Sequence, residues 1–475
     1  MTDKPRHIAL DLLLAVEKGR RTLDIEVEEV FAANKELDKR DKGFITAIVY
    51  GVLRLKARLD YIISYFSKTE KIETVVQSVL RMGLYQIIYM ERVPNSAAVN
   101  TSVNLVKERG KGKASGFVNG VLRNADRSID KILYPDPEKN AVNYLSIEYS
   151  FPEWMVKRWL SRYGFDETKK ILAIVNDIPP LTLRCNTLKT SRDDLIRAVL
   201  NDAEEAVSTP FSPDGVFIRN PSIPIFEMDA YKKGFFQVQD EAAQLTSFYA
   251  APLPGERVLD ACAGLGGKTG HMAQMMENTG SIIAVDIDKR KLIRLEDEMK
   301  RLGIKIVQTH PFDFTMNSVI DMSPFDRVLV DAPCSGLGVL RRNPDGKWNS
   351  NVSKVKQAAE KQIKLLVNIS QLVKIGGILV YTVCSFEPEE NDSVVNRFLK
   401  IRPEFKPCTS PSIESHEYDS VIRLQSELIG SDEDSYRDGL HKKNEILREN
   451  SPSLKTLPHL HGMDGFYSFR FRRIS

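Results

Sequence analysis

Apolar positions over residues 1 to about 130 recur at spacings of three and four. Leu12, Leu13 and Val16 begin one stripe. Phe44, Ile45, Ile48, Val49, Val52 and Leu53 form a second, and Val76, Val79, Leu80, Leu84, Ile87 and Ile88 a third. That period places one face of each segment on the buried side of a helix, and it predicts helix after helix with no strands. A further helix is predicted from Ala97 through Val106, ending at Arg109-Gly110-Lys111-Gly112-Lys113. The stretch Tyr134-Pro135-Asp136-Pro137-Glu138 breaks the pattern and predicts a domain boundary. Residues 150–235 combine a helix bearing Pro152, Trp154, Met155, Trp159 and Leu160 with strand-like runs such as Leu181-Thr182-Leu183-Arg184, the pattern of a small α+β module.

From Glu256 the pattern changes to short, almost continuous apolar runs: Val258-Leu259, residues 281–285, residues 327–330 and residues 377–381. Strands buried on both faces read this way. Helical patterns separate them, over 289–302 and 354–373. The alternation predicts a doubly wound α/β sheet. Residues 408–456 are polar and poorly periodic, and read as a long insertion. The alternating run Phe466-Tyr467-Ser468-Phe469-Arg470-Phe471 predicts a final strand.

At 475 residues the chain exceeds one ordinary hydrophobic core, so two or three domains are expected. Apolar residues at 42% and charged residues at 28% give the balance of a soluble globular protein. A net charge of +3 neither demands nor excludes a nucleic-acid partner, so any basic surface is local. The basic string from Arg109 to Arg123 and Arg127 reads either as a solvated helix connection or as a contact for RNA phosphates. Five cysteines with no C-x-x-C suggest neither a disulfide framework nor a structural zinc site, and no metal is expected. The N-terminal apolar stretch is interrupted by Asp11, Glu17 and Lys18, unlike a signal peptide, and no run is long enough to span a bilayer. A cytoplasmic protein with reduced thiols is the expectation.

Three segments can carry chemistry. The first is Asp260-Ala261-Cys262-Ala263-Gly264-Leu265-Gly266-Gly267-Lys268-Thr269. A strand entering a glycine turn at a helix start lets backbone amides approach a ligand closely. A phosphate loop needs glycine where Cys262 stands, and a dinucleotide fingerprint does not fit the extra residue between Gly266 and Gly270. An S-adenosylmethionine loop tolerates this spacing and places an acidic residue at the end of the next strand. Asp286 stands there, about 20 residues on, where a carboxylate can accept bonds from a ribose diol. S-adenosylmethionine is favoured over NAD, which stays open. Asp313 reads either as a contact to an adenine edge or as a helix cap.

The other two segments are Asp331-Ala332-Pro333-Cys334-Ser335-Gly336 and Thr382-Val383-Cys384-Ser385, each following an apolar run. A lone cysteine after a strand is normally a small buried apolar residue. Two of them at adjacent strand ends, one beside an aspartate, mark a candidate thiol site. No histidine neighbours either in sequence, which argues against a Cys-His hydrolase.

These paired cysteine motifs resemble those of the RNA cytosine-5 methyltransferases. Arg341-Arg342-Asn343-Pro344-Asp345-Gly346-Lys347-Trp348 is similar to that family's R-R-x-P-D-x-K-W signature, and Gln239-Asp240-Glu241-Ala242-Ala243 and Arg184-Cys185-Asn186 match two further segments. The N-terminal helices resemble the NusB fold through Arg40-Asp41, Tyr50-Gly51-Val52-Leu53-Arg54 and Phe117-Val118-Asn119-Gly120-Val121-Leu122-Arg123. The domain order is similar to that of the bacterial 16S rRNA methyltransferase B family, over nearly the whole chain except the insertion after Cys408. Two departures stand out. Gly264 and Leu265 replace the family's alanine and proline, which leaves a cradle of small residues intact, and Asn343 replaces a histidine on the substrate side.

The resemblance implies an all-α NusB-like RNA-binding domain over 1–140, a small α+β linker module over 150–235, and a Rossmann-like α/β class I methyltransferase domain over 236–475. It implies the family's activity, that of a 16S rRNA (cytosine(967)-C(5))-methyltransferase, with S-adenosyl-L-methionine held by Cys262, Ala263, Gly264, Leu265, Gly266, Gly267 and Lys268. Asp286 would meet the ribose, Asp313 the adenine, and Asp331 would close the pocket. In the chemistry, Cys384 would attack cytosine C6, Asp331 would hold or protonate the base edge, Lys268 would lie near base and cofactor, and Cys334 would assist release. Arg184, Asn186 and Arg341 would contact RNA or the scaffold. A monomer acting on 16S rRNA is expected. Four alternatives remain: Cys334 as the nucleophile, another RNA such as tRNA, a non-catalytic NusB-like RNA-binding factor, and an NAD-dependent oxidoreductase.

Overall fold

The computed structural model describes residues 3–19, 21–69, 71–316, 322–409 and 451–475, which gather into two compact units. The first comprises Met1–Asp177 and Leu340–Asn351, the second Ile178–Val339 and Val352–Ser475.

In the first unit the helices are α1 (Lys4–Glu17), α2 (Leu23–Ala33), α3 (Lys39–Arg54), α4 (Lys56–Ser67), α5 (Thr74–Tyr89), α6 (Asn95–Glu108), α7 (Ser115–Ser128), α8 (Ala141–Glu148) and α9 (Glu153–Asn176). The three apolar stripes become one core. Leu12, Leu13, Val16, Ile45, Ile48, Val49, Val79, Leu80 and Leu84 are all buried in a single cluster. Aspartates at the helix starts satisfy amides that have no partner within the helix: Asp3 accepts from Arg6 N, and Asp38 from Asp41 N at 2.8 Å. Inside α9, Gly164 takes φ +74°, a left-handed conformation that breaks the run into two helices. Leu340–Asn351, including α10 (Gly346–Asn349), is tied into this unit. Lys347 is fully buried and donates to the carbonyls of Arg54 (3.2 Å) and Ser150 (3.3 Å) and to Asn176 Oδ1 (2.5 Å), above the Phe151 ring. Trp348 Nε1 donates to Leu53 O at 2.6 Å, and Arg54 donates to Arg341 O at 2.6 Å.

The second unit begins with a four-stranded antiparallel sheet of order β2-β3-β1-β4, where β1 is Leu181–Cys185, β2 Ala203–Ser208, β3 Gly215–Pro221 and β4 Phe236–Val238. Its larger sheet has the order β10-β12-β9-β8-β5-β6-β7, with β11 also on β12. The strands are β5 (Arg257–Asp260), β6 (Ser281–Asp286), β7 (Val307–Pro311), β8 (Phe325–Asp331), β9 (Val373–Val383), β10 (Phe405–Pro407), β11 (Ser453–Lys455) and β12 (Tyr467–Arg473). Strands β5 to β9 pair in parallel, whereas β10, β11 and β9 all meet β12 antiparallel. Val258, Ile282, Ala284 and Leu329 belong to one apolar cluster, and Leu259, Ile283, Val285 and Val328 to another. Successive side chains point to opposite faces, so both faces are covered.

The chain order reverses at β5, with β6 on one side and β8 on the other. In open α/β sheets that reversal is where ligands bind, outside the carboxyl ends of the strands. Of the insertion expected over 408–456, residues 410–450 lie outside the described residues. Residues 453–455 need correction: they form β11, whose backbone pairs with β12. Among the described residues no helix is long and apolar enough to cross a membrane.

Candidate active site

The cofactor-loop residues follow β5. Ala263 N bonds Val285 O at 2.8 Å, drawing the loop to the end of β6. Gly264 at φ +56° and Gly266 at φ +83° turn the chain into the helix Gly267–Met275. Asp286 is fixed by backbone: one oxygen accepts from Gly264 N at 3.0 Å, the other from Asp288 N at 2.8 Å. Around Gly264 a Cβ would meet open space. Leu265 and Ile287 are exposed apolar side chains in the same loops. A half-exposed carboxylate, an open glycine turn and apolar side chains have the chemistry that a nucleoside needs.

Asp313 spends one oxygen on its own turn, accepting from Thr315 N (2.8 Å) and Thr315 Oγ1 (2.6 Å). It remains within electrostatic range of the loop. Burial pushes the Cys262 thiol well above its usual range, and the charges of Asp331, Asp260, Asp286 and Asp313 add to this, in that order. Cys262 is therefore a neutral thiol ringed by carboxylates.

Lys268 Nζ donates to Asp331 Oδ2 at 2.6 Å and lies 5.2 Å from the centre of the Phe466 ring. Burial alone would depress this ammonium. The Asp331 charge and hydrogen bond, with a smaller push from Cys384, raise it instead. Asp260 beneath is buried and pushed up to about 6, chiefly by burial, although Thr269 Oγ1 donates to it at 2.7 Å.

Parallel register joins the cysteine segments. Asp331 on β8 lies opposite Thr382 on β9, and Ala332 N bonds Thr382 O at 2.9 Å. Cys334 and Cys384 follow directly, with Sγ atoms 3.1 Å apart and both thiols free. The hydrogen bond to Cys384, then burial, hold the Cys334 thiol well above its usual range.

Three features of this site were missed by sequence reasoning. Glu390, fully buried, accepts from Ser335 N (2.7 Å), Ser335 Oγ, Ser385 Oγ (2.6 Å) and Gln362 Nε2 (3.2 Å). Gly338 N bonds Cys384 O at 2.9 Å while Gly465 N bonds Gly338 O at 2.8 Å, so three loops converge. Arg184 donates to Gly267 O at 2.6 Å and to Gln237 Oε1 at 2.9 Å, holding the cofactor loop from β1. Arg184, Asn186 and Arg341 are each nearly inaccessible, which makes them scaffold residues. In the basic string, Arg109 pairs with Asp11 and Lys111 with Glu73, leaving Lys113, Arg123 and Arg127 exposed.

An open, largely parallel sheet with a glycine cradle and acidic strand ends at its switch point defines a Rossmann-like methyltransferase domain. Residues 248–472 match the family model for 16S rRNA methyltransferase RsmB/F, residues 3–127 that for the NusB family, and residues 151–225 that for the RsmF/B-like ferredoxin-like domain. The probable ribosomal RNA small subunit methyltransferase B of Bacillus subtilis (strain 168) is 34% identical over 470 residues, 98% of each chain. The crystal structure of PH0851 superposes with TM-score 0.77 at 26% identity over 98% of both chains. That of NSun6 from Pyrococcus horikoshii with SFG gives 0.54 at 21% identity, over 69% of this chain and 99% of the other. The chain belongs to the 16S rRNA methyltransferase RsmB/F family, and it is an enzyme.

Proposed function

We propose that this enzyme transfers a methyl group from S-adenosylmethionine to C5 of one cytosine in 16S rRNA, the family's cytosine(967)-C(5) reaction, through a covalent adduct on Cys384. The observation that carries the reading is the thiol pair, 3.1 Å apart, beside the Lys268–Asp331 ion pair at the ends of β8 and β9. The proposed organisation is an RNA-binding helical domain over 1–140, a small module over 150–235 and the methyltransferase domain over 236–475, acting as a monomer in the cytoplasm.

S-adenosylmethionine, when bound, supplies an electrophilic methyl group. Cytosine C5 is too poor a nucleophile to take it unaided. The Cys384 thiolate adds to C6, and the electron pair displaced from the C5–C6 bond makes C5 nucleophilic. Lys268 is kept cationic by Asp331, beside the site where the base binds. Asp331 accepts from the amino edge of the base and holds it against the thiol. Once C5 carries the methyl, the C5 proton passes to the sulfur of Cys334 as that thiol gives up its own proton, the double bond re-forms and Cys384 is expelled. Cys334, a neutral thiol in contact with Cys384, is the group suited to hand the departing sulfur a proton. Asp286 would take the ribose diol, and Leu265, Ile287 and Asp313 would hold the rest of the nucleoside.

Bisulfite sequencing of rRNA from a strain lacking the gene tests the target. One small-subunit cytosine is expected to lose its mark, restored by wild-type enzyme. An unchanged profile contradicts the assignment.

A further inference from the structure

Glu390 lies in the turn after β9, outside every motif that singled out the site. It is fully buried, and so are two of its partners, Ser385 and Gln362. Its two oxygens serve both cysteine loops: Oε1 accepts from Ser335 N and Gln362 Nε2, and Oε2 accepts from the hydroxyls of Ser335 and Ser385. Those serines directly follow Cys334 and Cys384, and their hydroxyls are 3.3 Å apart. A second layer fixes the carboxylate. Gln362 Nε2 also donates to Pro333 O at 3.1 Å, and the Tyr381 hydroxyl shares its one proton between Glu390 O at 2.6 Å and Gln362 Oε1 at 2.9 Å.

A buried carboxylate is costly unless hydrogen-bonded throughout, and this one meets that condition by bridging two loops 50 residues apart in sequence. We propose that Glu390 is a positioning residue that holds the Cys334 and Cys384 thiols in register for a two-thiol reaction. The proposal rests on the reading that both thiols take part. The carboxylate also acts on Cys334 through its charge. The groups facing Cys334 are Cys384, Glu390 and Tyr381, and the Glu390 charge adds to the Cys384 hydrogen bond and burial in keeping Cys334 protonated. A neutral side chain of the same shape keeps the clamp and removes that bias.

The test compares Glu390→Ala and Glu390→Gln in the full-length enzyme. With RNA carrying 5-fluorocytosine, Glu390→Ala is expected to lose roughly 10²-fold in adduct rate, as a displacement of about 1 Å at a reacting group does. Its S-adenosylmethionine affinity should stay unchanged. Glu390→Gln should recover most of the adduct rate, because its carbonyl still accepts from Ser335 N, while the pH profile of release from the adduct, the step that Cys334 serves, moves to lower pH. A purely structural role would leave that profile in place. Phenylarsine oxide, which bridges neighbouring thiols, reads the spacing without catalysis, with Cys334→Ala as the control. Wild type and Glu390→Gln should capture it, and Glu390→Ala about tenfold less tightly, the value of roughly one net hydrogen bond. Equal capture and equal adduct rates in Glu390→Ala overturn the clamp. Wild-type capture without any adduct sinks the two-thiol chemistry while leaving the clamp standing.

Discussion

Gly338 sits where the Cys334 loop, the end of β9 and the loop before β12 meet. A Cβ there would lie 1.8 Å from Gly465 O and 2.9 Å from Cys384 O, both backbone atoms that no rotamer change can move. Ordinary contact is about 3.5 Å, so Gly338→Ala forces the loops apart by more than ~1 Å. The two hydrogen bonds through Gly338, to Cys384 O at 2.9 Å and from Gly465 N at 2.8 Å, stretch or break. Each is worth about 1 kcal/mol net, and overpacking a closed site adds about 1–3 kcal/mol, giving roughly 3–5 kcal/mol of destabilisation. The displacement falls on the residue that carries Cys384, where an error of ~1 Å costs on the order of 10²-fold in rate. Differential scanning calorimetry reads the first effect and single-turnover methyl transfer the second. A Gly338→Ala enzyme within threefold of wild-type rate and with unchanged Tm would refute the convergence of these loops as the support of the thiol site.

Arg184→Met removes the donor to Gly267 O and should raise the Kd for S-adenosylmethionine about tenfold, roughly one charge-assisted hydrogen bond; unchanged affinity in calorimetry would show that the loop stands without it. Asp260, at about 6 in the folded enzyme, favours folding when protonated, a contribution present below about pH 4 and lost as pH rises through 6. The Tm of wild type minus that of Asp260→Asn should therefore grow as pH falls through this window, and a flat difference would contradict the assignment. Lys347→Ala should cost the first unit about 3 kcal/mol, because Asn176 Oδ1 and two carbonyls lose a buried donor. Lys347→Met should cost less, since its longer side chain fills the volume that alanine leaves empty.

The features legible in the sequence were those carried by local period or by chain neighbours. Continuous apolar runs gave β5, β6, β8 and β9. The helix over Lys289–Leu302 follows from its own periodicity, and Cys334 and Cys384 were marked by the strands before them. The strand β7 (Val307–Pro311) offers no continuous apolar run to read, because its edge position leaves Gln308, His310 and Pro311 exposed. What stayed hidden depends on which strands become neighbours. Arg184 and Gly267 are 83 residues apart, Ser335 and Glu390 are 55 apart, and Gly338 meets Gly465 through backbone alone. Lys347 stands in the R-R-x-P-D-x-K-W segment with nothing in its neighbours to mark burial, yet its amine is sealed among carbonyls and burial depresses it well below the lysine range. A buried lysine and an exposed one look alike in one dimension.

The central claim is that Cys384 bonds to the base and Cys334 serves its release. Mixing the enzyme with S-adenosylmethionine and RNA containing 5-fluorocytosine, then resolving protein–RNA adducts on a denaturing gel, tests it directly. Wild type should form the adduct, Cys384→Ala should not, and Cys334→Ala should accumulate adduct even on unmodified RNA because release is slowed. An adduct from Cys384→Ala together with none from Cys334→Ala would reverse the roles and contradict the account.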